Sequence, residues 1–243
     1  MDETFENEKR RNAAAMAADD RLRSHVAGVM DGIAHHKYTY NFSWLGLPII
    51  QLPSDIVVIQ ELIWTLRPDV VVETGIARGG SLILHASILA MLGGNGRVIG
   101  VDVDIRDIPR KMLTEHPLFE RITLIEGSSI APETVETVRR EVGAAQSVLV
   151  ILDSNHTHEH VLDELRHYAP FVRKGGYVVV FDTVIADMPD DTLTDRPWSR
   201  DRNPKTAVHE YLSETDRFVI DKALENKLLM TNAPDGFLKC VAD

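Results

Sequence analysis

Residues 71–90, VVETGIARGGSLILHASILA, combine an apolar strand, a glycine-rich turn and the start of a helix. A turn of this kind at the carboxyl end of a strand presents backbone N–H groups to an anionic or carboxylate-bearing ligand. The stretch therefore predicts an α/β fold with a ligand site at this turn. The alternative is a tight turn that only packs a helix on a strand.

The alternation of strand and helix continues towards the C-terminus. Buried-type strands are predicted in RVIGVDVD (97–104), RITLIEGSS (121–129), SVLVILDSNH (147–156) and GGYVVVFDTV (175–184), with helices between them. This alternation predicts a parallel sheet with helices on both faces. The segment KLLMTNAPDGFLKCV (227–241) predicts two short strands around a turn, which would give the sheet an antiparallel edge.

The region before this sheet has a different pattern. The segment NAAAMAADDRLRSHVAGVMDGI (12–33) has the apolar spacing of an amphipathic helix, and an aromatic, irregular stretch follows it. Ser54 or Asp55 is predicted to cap a helix over residues 56–66. We therefore expect an N-terminal helical and irregular extension over residues 1–55 and one α/β domain over residues 56–243.

The composition is that of a globular protein with a sizeable core. The chain has 243 residues, 44% of them hydrophobic and 26% charged, and a formal net charge of -11 at pH 7. An acidic surface repels phosphate backbones, which argues against nucleic acid as a partner. No apolar run is long enough to span a bilayer, and the N-terminus lacks the layout of a secretory signal. Since Cys240 is the single cysteine, no internal disulfide is possible, and we expect a cytoplasmic protein without membrane contact.

The glycine spacing selects between two adenosine-containing cofactors. Gly75, Gly79 and Gly80 lack the middle member of the dinucleotide pattern G-x-G-x-x-G, because Ala77 stands at that position. Pyrophosphate would lose its closest backbone approach there, and Glu73 would repel it. The same carboxylate would accept a hydrogen bond from an ammonium group, directly or through water. S-adenosylmethionine, with an amino-acid end and an adenosine end, therefore fits this turn better than NAD.

The next two strand ends offer contacts to the adenosine part. An acid some 20 residues after a glycine turn commonly binds ribose hydroxyls, which favours Asp102. A solvated strand terminus explains Asp104 about equally well. Ser128, in the small-residue segment EGSS, would let an adenine ring lie flat and offer it a polar contact.

Carboxylates also end the fourth and fifth predicted strands, whose ends should lie close together. Asp153 and Asp182 are costly neighbours without a compensating charge, and Mg²⁺ would supply that charge while lowering the pKa of a substrate hydroxyl. Histidine accepts a proton near neutrality, so His156 is a candidate base, although a solvated helix start explains it equally well. His158 and His160 are expected mostly at the surface. The absence of thiolates argues against zinc.

Residues 185–204, IADMPDDTLTDRPWSRDRNP, are rich in Asp, Arg and Pro and include Trp198. This composition predicts an irregular loop that gates the substrate. A surface insertion without a function is the alternative.

These segments together resemble the family named for cephalosporin hydroxylase and the rhamnosyl O-methyltransferases. It is a branch of the class I S-adenosylmethionine-dependent methyltransferases and is similar in its core to the macrocin-type sugar O-methyltransferases. The combination of E-T-G-x-x-x-G-G-S (73–81) with D-S-x-H-T-x-x-H-V (153–161) is fairly specific. The matching segments are LGLPIIQLPSDIVVIQELIWTLRPDVVVETGIARGGSL (45–82), VIGVDVDIR (98–106), VILDSNHTHEHVLDEL (150–165), KGGYVVVFDT (174–183) and LLMTNAPDGFLKCV (228–241).

The resemblance implies a Rossmann-like fold with a seven-stranded, mostly parallel sheet and S-adenosylmethionine over the carboxyl ends of its first strands. The family's cofactor-binding positions would correspond to Glu73, Gly75, Gly79, Ser81 and Asp102, to which we add Ser128 and Asp153. The metal-binding acids would correspond to Asp153 and Asp182. In relatives the fifth strand often ends in two adjacent acids, and Phe181 replaces the first of them. We therefore expect two carboxylates, with water or substrate, to hold Mg²⁺ more weakly.

The leading hypothesis is a Mg²⁺-assisted, S-adenosylmethionine-dependent O-methyltransferase acting on a hydroxyl of a sugar or a glycosylated small molecule, with Asp153 or His156 as base. A nicotinamide-dependent oxidoreductase is an alternative that the missing middle glycine disfavours. A non-catalytic binding protein with the same fold is another, for which Phe181 is the argument. The hydroxylase label implies oxygen chemistry, but no 2-His-1-carboxylate triad is evident. The N-terminal helical region leads us to expect a homo-oligomer.

Overall fold

The computed structural model describes residues 2–189 and 196–243. Its helices are α1 (Glu3–Ala18), α2 (Asp20–His35), α3 (Pro53–Leu66), α4 (Gly80–Leu92), α5 (Asp107–Thr114), α6 (Pro132–Val142), α7 (His158–Tyr168), α8 (Pro204–Glu214) and α9 (Lys222–Glu225). Its strands are β1 (Phe42–Trp44), β2 (Leu47–Ile49), β3 (Val70–Thr74), β4 (Arg97–Asp102), β5 (Ile122–Glu126), β6 (Val148–Leu152), β7 (Tyr177–Val180), β8 (Phe218–Ile220) and β9 (Phe237–Cys240). Among the described helices, none has both the length and the apolar character needed to cross a membrane.

Seven strands form one sheet in the order β5-β4-β3-β6-β7-β9-β8, and β1 and β2 form a separate antiparallel pair. Strands β3 to β7 are parallel, whereas β9 is antiparallel to both β7 and β8. The predicted seven-stranded, mostly parallel sheet is therefore confirmed. The strand order reverses between β3 and β6, and open α/β sheets bind ligands at the carboxyl ends of the strands beside such a point.

The sheet separates two apolar cores, because successive side chains of a strand point to opposite faces. Val71 of β3 belongs to the core that includes residues of α3 and α4. Val70 and Val72 belong to the core that includes residues of α6, α7 and α8. Helix α4 is buried over residues 80–89 and contacts α3, as expected for an apolar helix between a sheet and another helix. The predicted helices on both faces are thus present.

The N-terminal region contains two helices where the sequence predicted one. Helix α1 ends at Ala18, and Asp19 caps α2 by accepting a hydrogen bond from Leu22 N at 2.9 Å. An Asp at this position starts a new helix, a signal that apolar spacing alone does not contain. In the described residues of α1 and α2 no side chain is buried. The division of the chain at residues 55 and 56 stays a prediction.

Two local predictions are wrong. Helix α3 has Leu52 as its N-cap residue without a side-chain cap, so neither Ser54 nor Asp55 caps it. Residues 227–231 form turns and not a strand, and β9 pairs with β8 instead. The antiparallel edge of the sheet is present, but its first strand comes earlier in the chain than predicted.

Candidate active site

The glycine turn and the acid after β6 are in backbone contact where the strand order reverses. Gly75 follows β3 and Asp153 follows β6, its parallel neighbour. Asp153 N donates to Thr74 O at 2.9 Å, and a Cβ atom at Gly75 would lie only 2.0 Å from Asp153 O. Gly75 also has a φ of +92°, which favours glycine. Two predicted site residues from distant parts of the chain therefore meet here.

Asp102 organises the glycine turn. Its Oδ2 accepts hydrogen bonds from Ile76 N at 2.8 Å and Ala77 N at 3.2 Å, and its Oδ1 accepts one from Asp104 N at 3.1 Å. Because two N–H groups of the turn bind this carboxylate, they are not presented to a phosphate, which agrees with the preference against a dinucleotide. Asp102 is half-buried, and its contact with ribose stays a prediction. Asp104 is exposed, which agrees with the alternative of a solvated strand terminus.

Glu73 lies buried beside the turn and is bound to α4. Its Oε1 accepts a hydrogen bond from Ser81 Oγ at 2.5 Å, and its Oε2 lies 2.6 Å from His85 Nε2. This network fixes the first turns of α4 on the end of β3. The sequence analysis named Glu73 and Ser81 but missed His85, although His85 lies four residues after Ser81 and so on the same helix face. The cofactor contacts predicted for Glu73 and Ser81 stay predictions.

Asp153, His156 and Asp182 form a group of three candidate metal ligands. One ligand atom from each lies within 4.8 Å of the other two, and all three residues are half-buried. His156 Nε2 is 3.0 Å from Asp182 Oδ2. Asp182 has a φ of +56°, a conformation that non-glycine residues adopt rarely and mostly at special sites. Phe181 packs into the core with α3 and α4, so residue 181 adds no ligand atom to this group.

This group has an excess of negative charge. Burial, followed by the carboxylates of Asp182, Glu73 and Glu164, raises the pKa of Asp153 well above its usual value. A divalent cation would relieve this cost, because it would offset both Asp153 and Asp182. The two carboxylates suit Mg²⁺, whereas an imidazole as a further ligand would suit a first-row transition metal.

The two later histidines of α7 are less exposed than predicted. His158 is buried, with Nδ1 2.7 Å from Thr206 Oγ1 and Nε2 3.0 Å from Glu210 Oε2, and so joins α7 to α8. His160 is half-buried, with Nε2 2.9 Å from Ser129 Oγ. The expectation of surface positions is wrong because these partners lie between 31 and 52 residues away in the sequence. Ser128, beside Ser129, is half-buried, and its adenine contact stays a prediction.

A cavity of about 1180 Å³ borders the candidate metal group. His156 and Asp182 line it, whereas Asp153 and the glycine turn do not. Its other described walls come from the α1–α2 hairpin, Tyr38 and Tyr40, and the chain from α9 to Pro234. The group therefore connects the glycine turn, through Asp153, with the cavity, through His156 and Asp182.

The described ends of the predicted gating loop lie at this cavity. The Trp198 ring meets the His156 ring edge-on at 4.7 Å between centroids, and the Arg196 guanidinium lies 5.4 Å from the Trp198 centroid. Residues 190–195, in the middle of the loop predicted over residues 185–204, lie outside the described residues. Substrate gating stays a prediction.

Asp55 positions another wall of the cavity. Its Oδ1 accepts a hydrogen bond from Thr231 Oγ1 at 2.6 Å, and its Oδ2 accepts one from Asn232 N at 2.8 Å. Ser54 Oγ donates to Met230 O at 2.6 Å. Thr231 and Asn232 both line the cavity. Burial raises the pKa of Asp55 to about 7.

Replacing Asp55 by Asn is expected to remove a pH-dependent loss of stability. The usual pKa of 3.8 applies in the unfolded chain, and a pKa of about 7 applies in the folded chain. Between these values the unfolded chain ionises Asp55 while the folded chain does not, so the free energy of unfolding of the native chain falls as pH rises. The free energy of unfolding of Asp55→Asn, minus that of the native chain, should therefore be about 3 kcal/mol larger at about pH 8 than at about pH 5. Urea denaturation of both chains at the two pH values measures this change.

Glu61→Gln is the control for this prediction, because it removes an exposed carboxylate from the same helix. The difference between Asp55→Asn and the native chain isolates the contribution of Asp55 from other titrating groups. If the denaturation midpoints of Asp55→Asn and the native chain differ by the same amount at both pH values, the raised pKa of Asp55 is contradicted.

Three buried polar side chains near the site escaped the sequence analysis. The Gln51 amide, Thr74 Oγ1 and Thr183 Oγ1 have no hydrogen-bond partner among the described residues. Thr74 directly precedes Gly75, and Thr183 directly follows Asp182. Buried polar groups normally have a partner, so these atoms indicate places where a ligand or water binds. For Thr74 and Thr183 the available signal was their position next to the predicted site residues Gly75 and Asp182.

Comparisons with known proteins point to one family. A family model described as rhamnosyl O-methyltransferase/CmcI matches residues 36–241. The rhamnosyl O-methyltransferase of Mycobacterium leprae is 31% identical over 218 residues, which cover 86% of this chain and 90% of that protein.

Solved structures of CmcI are similar to this fold. An apo structure has a TM-score of 0.61 at 24% sequence identity, covering 84% of this chain and 78% of CmcI. A structure of CmcI with Mg and S-adenosylmethionine has a TM-score of 0.60 at 23% identity, with the same coverage. At these identities the likeness concerns the fold, which agrees with the predicted class I methyltransferase architecture.

Proposed function

The chain belongs to the rhamnosyl O-methyltransferase/CmcI family of O-methyltransferases, and on that premise we propose that it methylates a hydroxyl of a sugar or a glycosylated small molecule. The methyl donor in this proposal is S-adenosylmethionine, and Mg²⁺ assists. Both are present in the CmcI structure that shares the fold.

The observation that carries the proposal is the position of the three-residue metal group. Asp153 touches the glycine turn, where the donor would lie, and His156 and Asp182 face the cavity, where the acceptor would lie. Methyl transfer requires donor and acceptor to be held in line at short range, which contributes much of the rate enhancement in two-substrate reactions. A group that borders both sites is placed to do this.

The residues present fit a divalent cation. Asp153 and Asp182 place two carboxylate oxygens within 4.8 Å of each other, beside His156, and burial, followed by the charge of Asp182, raises the pKa of Asp153. When bound there, Mg²⁺ would lower the pKa of the acceptor hydroxyl and orient it. Asp153 and Asp182 would hold the ion, with water or the acceptor hydroxyl completing its coordination, and His156 would stand beside them.

The residues present also fit the donor. Thr74 Oγ1, next to Gly75 of the turn, is buried without a hydrogen-bond partner among the described residues, so it is available to a polar atom of the donor. Asp102 places a half-buried carboxylate at the turn for the ribose end, and Glu73, beside the turn, fixes the start of α4 through Ser81 and His85. S-adenosylmethionine supplies an already activated methyl group, so the protein mainly positions and deprotonates the acceptor.

We assign the proton transfer to His156. Its Nε2 is 3.0 Å from Asp182 Oδ2, and a neighbouring carboxylate stabilises the imidazolium that forms when histidine accepts a proton. Trp198, against the His156 ring, fixes the orientation of that ring and shields one side from water.

The proposed acceptor class agrees with the cavity. Pockets of roughly 300–1,000 Å³ hold drug-sized ligands, and this cavity is about 1180 Å³. A sugar joined to a further group fits such a volume better than a single sugar. The Mycobacterium leprae relative is named as a rhamnosyl O-methyltransferase, which makes a rhamnoside the first acceptor to test.

The test of this function combines cofactor binding with methyl transfer. Calorimetric titration with S-adenosylmethionine, S-adenosylhomocysteine and NAD identifies the cofactor. Transfer to methyl α-L-rhamnoside and to a panel of glycosylated acceptors is then measured with Mg²⁺, with EDTA, and after Mg²⁺ is restored. We expect binding of both methionine-derived compounds, and transfer that EDTA abolishes and Mg²⁺ restores.

Each contrary result points to a different alternative. Binding of NAD without a response to S-adenosylmethionine would favour the oxidoreductase. Cofactor binding without transfer to any acceptor in the panel would favour a non-catalytic binding protein. Transfer that is unchanged by EDTA would remove the metal from the mechanism while leaving the methyltransferase.

A further inference from the structure

Helix α2 has an apolar face that borders the cavity and not a protein core. Val26, Met30 and Ile33 follow the i, i+4, i+7 spacing of one helix face, and Ala27 and Ala34 lie beside them. All five residues line the cavity. No residue of α2 is buried among the described residues, so packing against the fold does not account for this apolar face.

The same cavity also has a polar wall at the candidate metal group. His156, Asp182 and Asn232 line it, and the cavity extends from them to the apolar face of α2, beside which Arg23, Asp31 and His35 also line it. The two walls complement a molecule with a hydroxyl-bearing sugar at one end and an apolar group at the other. A molecule of this kind places its sugar at the candidate metal group.

Helix α2 lies before the residues that the family model matches. The model matches residues 36–241, whereas α2 ends at His35. A wall of the cavity outside these residues is placed to distinguish between acceptors with the same sugar.

We propose that α2 selects the acceptor by binding its apolar aglycone, the non-sugar group attached to the methylated sugar. This inference rests on the proposed function, because it assigns the far wall of the same cavity. Burial of the aglycone against Val26, Met30 and Ile33 would contribute affinity in proportion to the apolar area removed from water. The polar residues at the candidate metal group would then determine where the sugar is methylated, and α2 would determine which glycosides bind most tightly.

The test compares two probes that differ only in the aglycone, methyl α-L-rhamnoside and n-octyl α-L-rhamnoside. Both are titrated calorimetrically below the critical micelle concentration, with S-adenosylhomocysteine and Mg²⁺ present. The native chain should bind the octyl glycoside at least about tenfold more tightly, the effect of burying two methylene groups. In the double variant Val26→Gln/Met30→Gln this preference should fall to about threefold or less, while the affinity for the methyl glycoside stays unchanged.

Val29→Gln is the matched control, because Val29 lies on the same helix, is 49% exposed and does not line the cavity. It should retain the preference for the octyl glycoside. Glutamine suits an exposed helix position, so neither variant is expected to unfold α2. Circular dichroism checks this.

Two results would overturn the inference. One is a native chain without a preference for the octyl glycoside. The other is a preference that survives Val26→Gln/Met30→Gln. If light scattering also shows that this variant dissociates an oligomer while the preference survives, a second copy of the chain covers α2 instead.

The two proposals fail in different ways. Loss of the octyl preference in the variant, without methyl transfer to either glycoside, would support the role of α2 and contradict the rhamnoside as acceptor. Methyl transfer to both glycosides with equal affinity would support the proposed function and contradict the role of α2.

Discussion

Replacement of Asp153 by Ala is expected to lower kcat for methyl transfer by about 10³-fold or more, because one of the two carboxylates that would hold Mg²⁺ is removed. The affinity for S-adenosylhomocysteine should stay largely intact, since Glu73 and Asp102 remain beside the glycine turn. Methyl-transfer rates at saturating donor, with Mg²⁺ titrated, measure the first effect. Calorimetry measures the second and tests whether Asp153 also contacts the cofactor, as the sequence analysis expected.

Asp104→Ala is the matched control, because it removes an exposed acid that follows another parallel strand of the sheet, β4, and whose backbone N–H keeps its bond to Asp102. Asp153→Asn preserves the shape of the side chain and separates loss of charge from loss of fold. Unchanged turnover in a folded variant would remove Asp153 from the site.

His156→Gln should lower kcat while Mg²⁺ affinity is kept. A loss of Mg²⁺ affinity in that variant would make His156 a ligand and not the base.

The pairing of the two acids was predictable because it depends on topology alone. Asp153 and Asp182 each follow an apolar strand, and the carboxyl ends of parallel neighbours meet at one edge of a sheet. The glycine turn was predictable for the same reason. Motif order and spacing along the chain were enough to identify the family.

The errors concern contacts between segments that are far apart in sequence. Local patterns placed His158 and His160 at the surface, because their partners on α8 and at Ser129 are invisible to periodicity. Ser54 and Asp55 have the chemistry of caps, but residues 230–232 bind their side chains instead. These tertiary partners outweigh a local preference of about 1 kcal/mol for a capping position.

The cavity beside the candidate metal group was not predictable either, because no motif describes it. Its walls include the α1–α2 hairpin, Tyr38 and Tyr40, and the segment after α9. None of these is a strand of the seven-stranded sheet, so strand order does not bring them together. An amphipathic pattern shows that α2 has an apolar face but not whether a core or a cavity lies against it. Only the burial of each residue distinguishes the two.

The contact between the glycine turn and the candidate metal group makes Gly75 the most sensitive position of the turn. Gly75→Ala is expected to lower the free energy of unfolding by at least about 3 kcal/mol, since it adds backbone strain to an overpacked contact. The added Cβ would lie 2.0 Å from Asp153 O and 2.5 Å from Asp153 C, so the chain after β6 would have to move. Since stabilities of about 5–15 kcal/mol are typical, a folded population should remain for assay.

Gly175→Ala separates the two causes. Gly175 has a φ of +90°, almost that of Gly75, but a Cβ atom there would meet no atom within 4 Å. It should therefore show the backbone strain alone, about 1 kcal/mol, with turnover unchanged. Urea denaturation and methyl-transfer rates measured on both variants give the comparison. Equal losses of stability in the two variants would mean that the backbone at Asp153 moves away from the added Cβ atom at little cost. Retained Mg²⁺-dependent turnover in Gly75→Ala would show that the position of Asp153 does not couple the glycine turn to the candidate metal group.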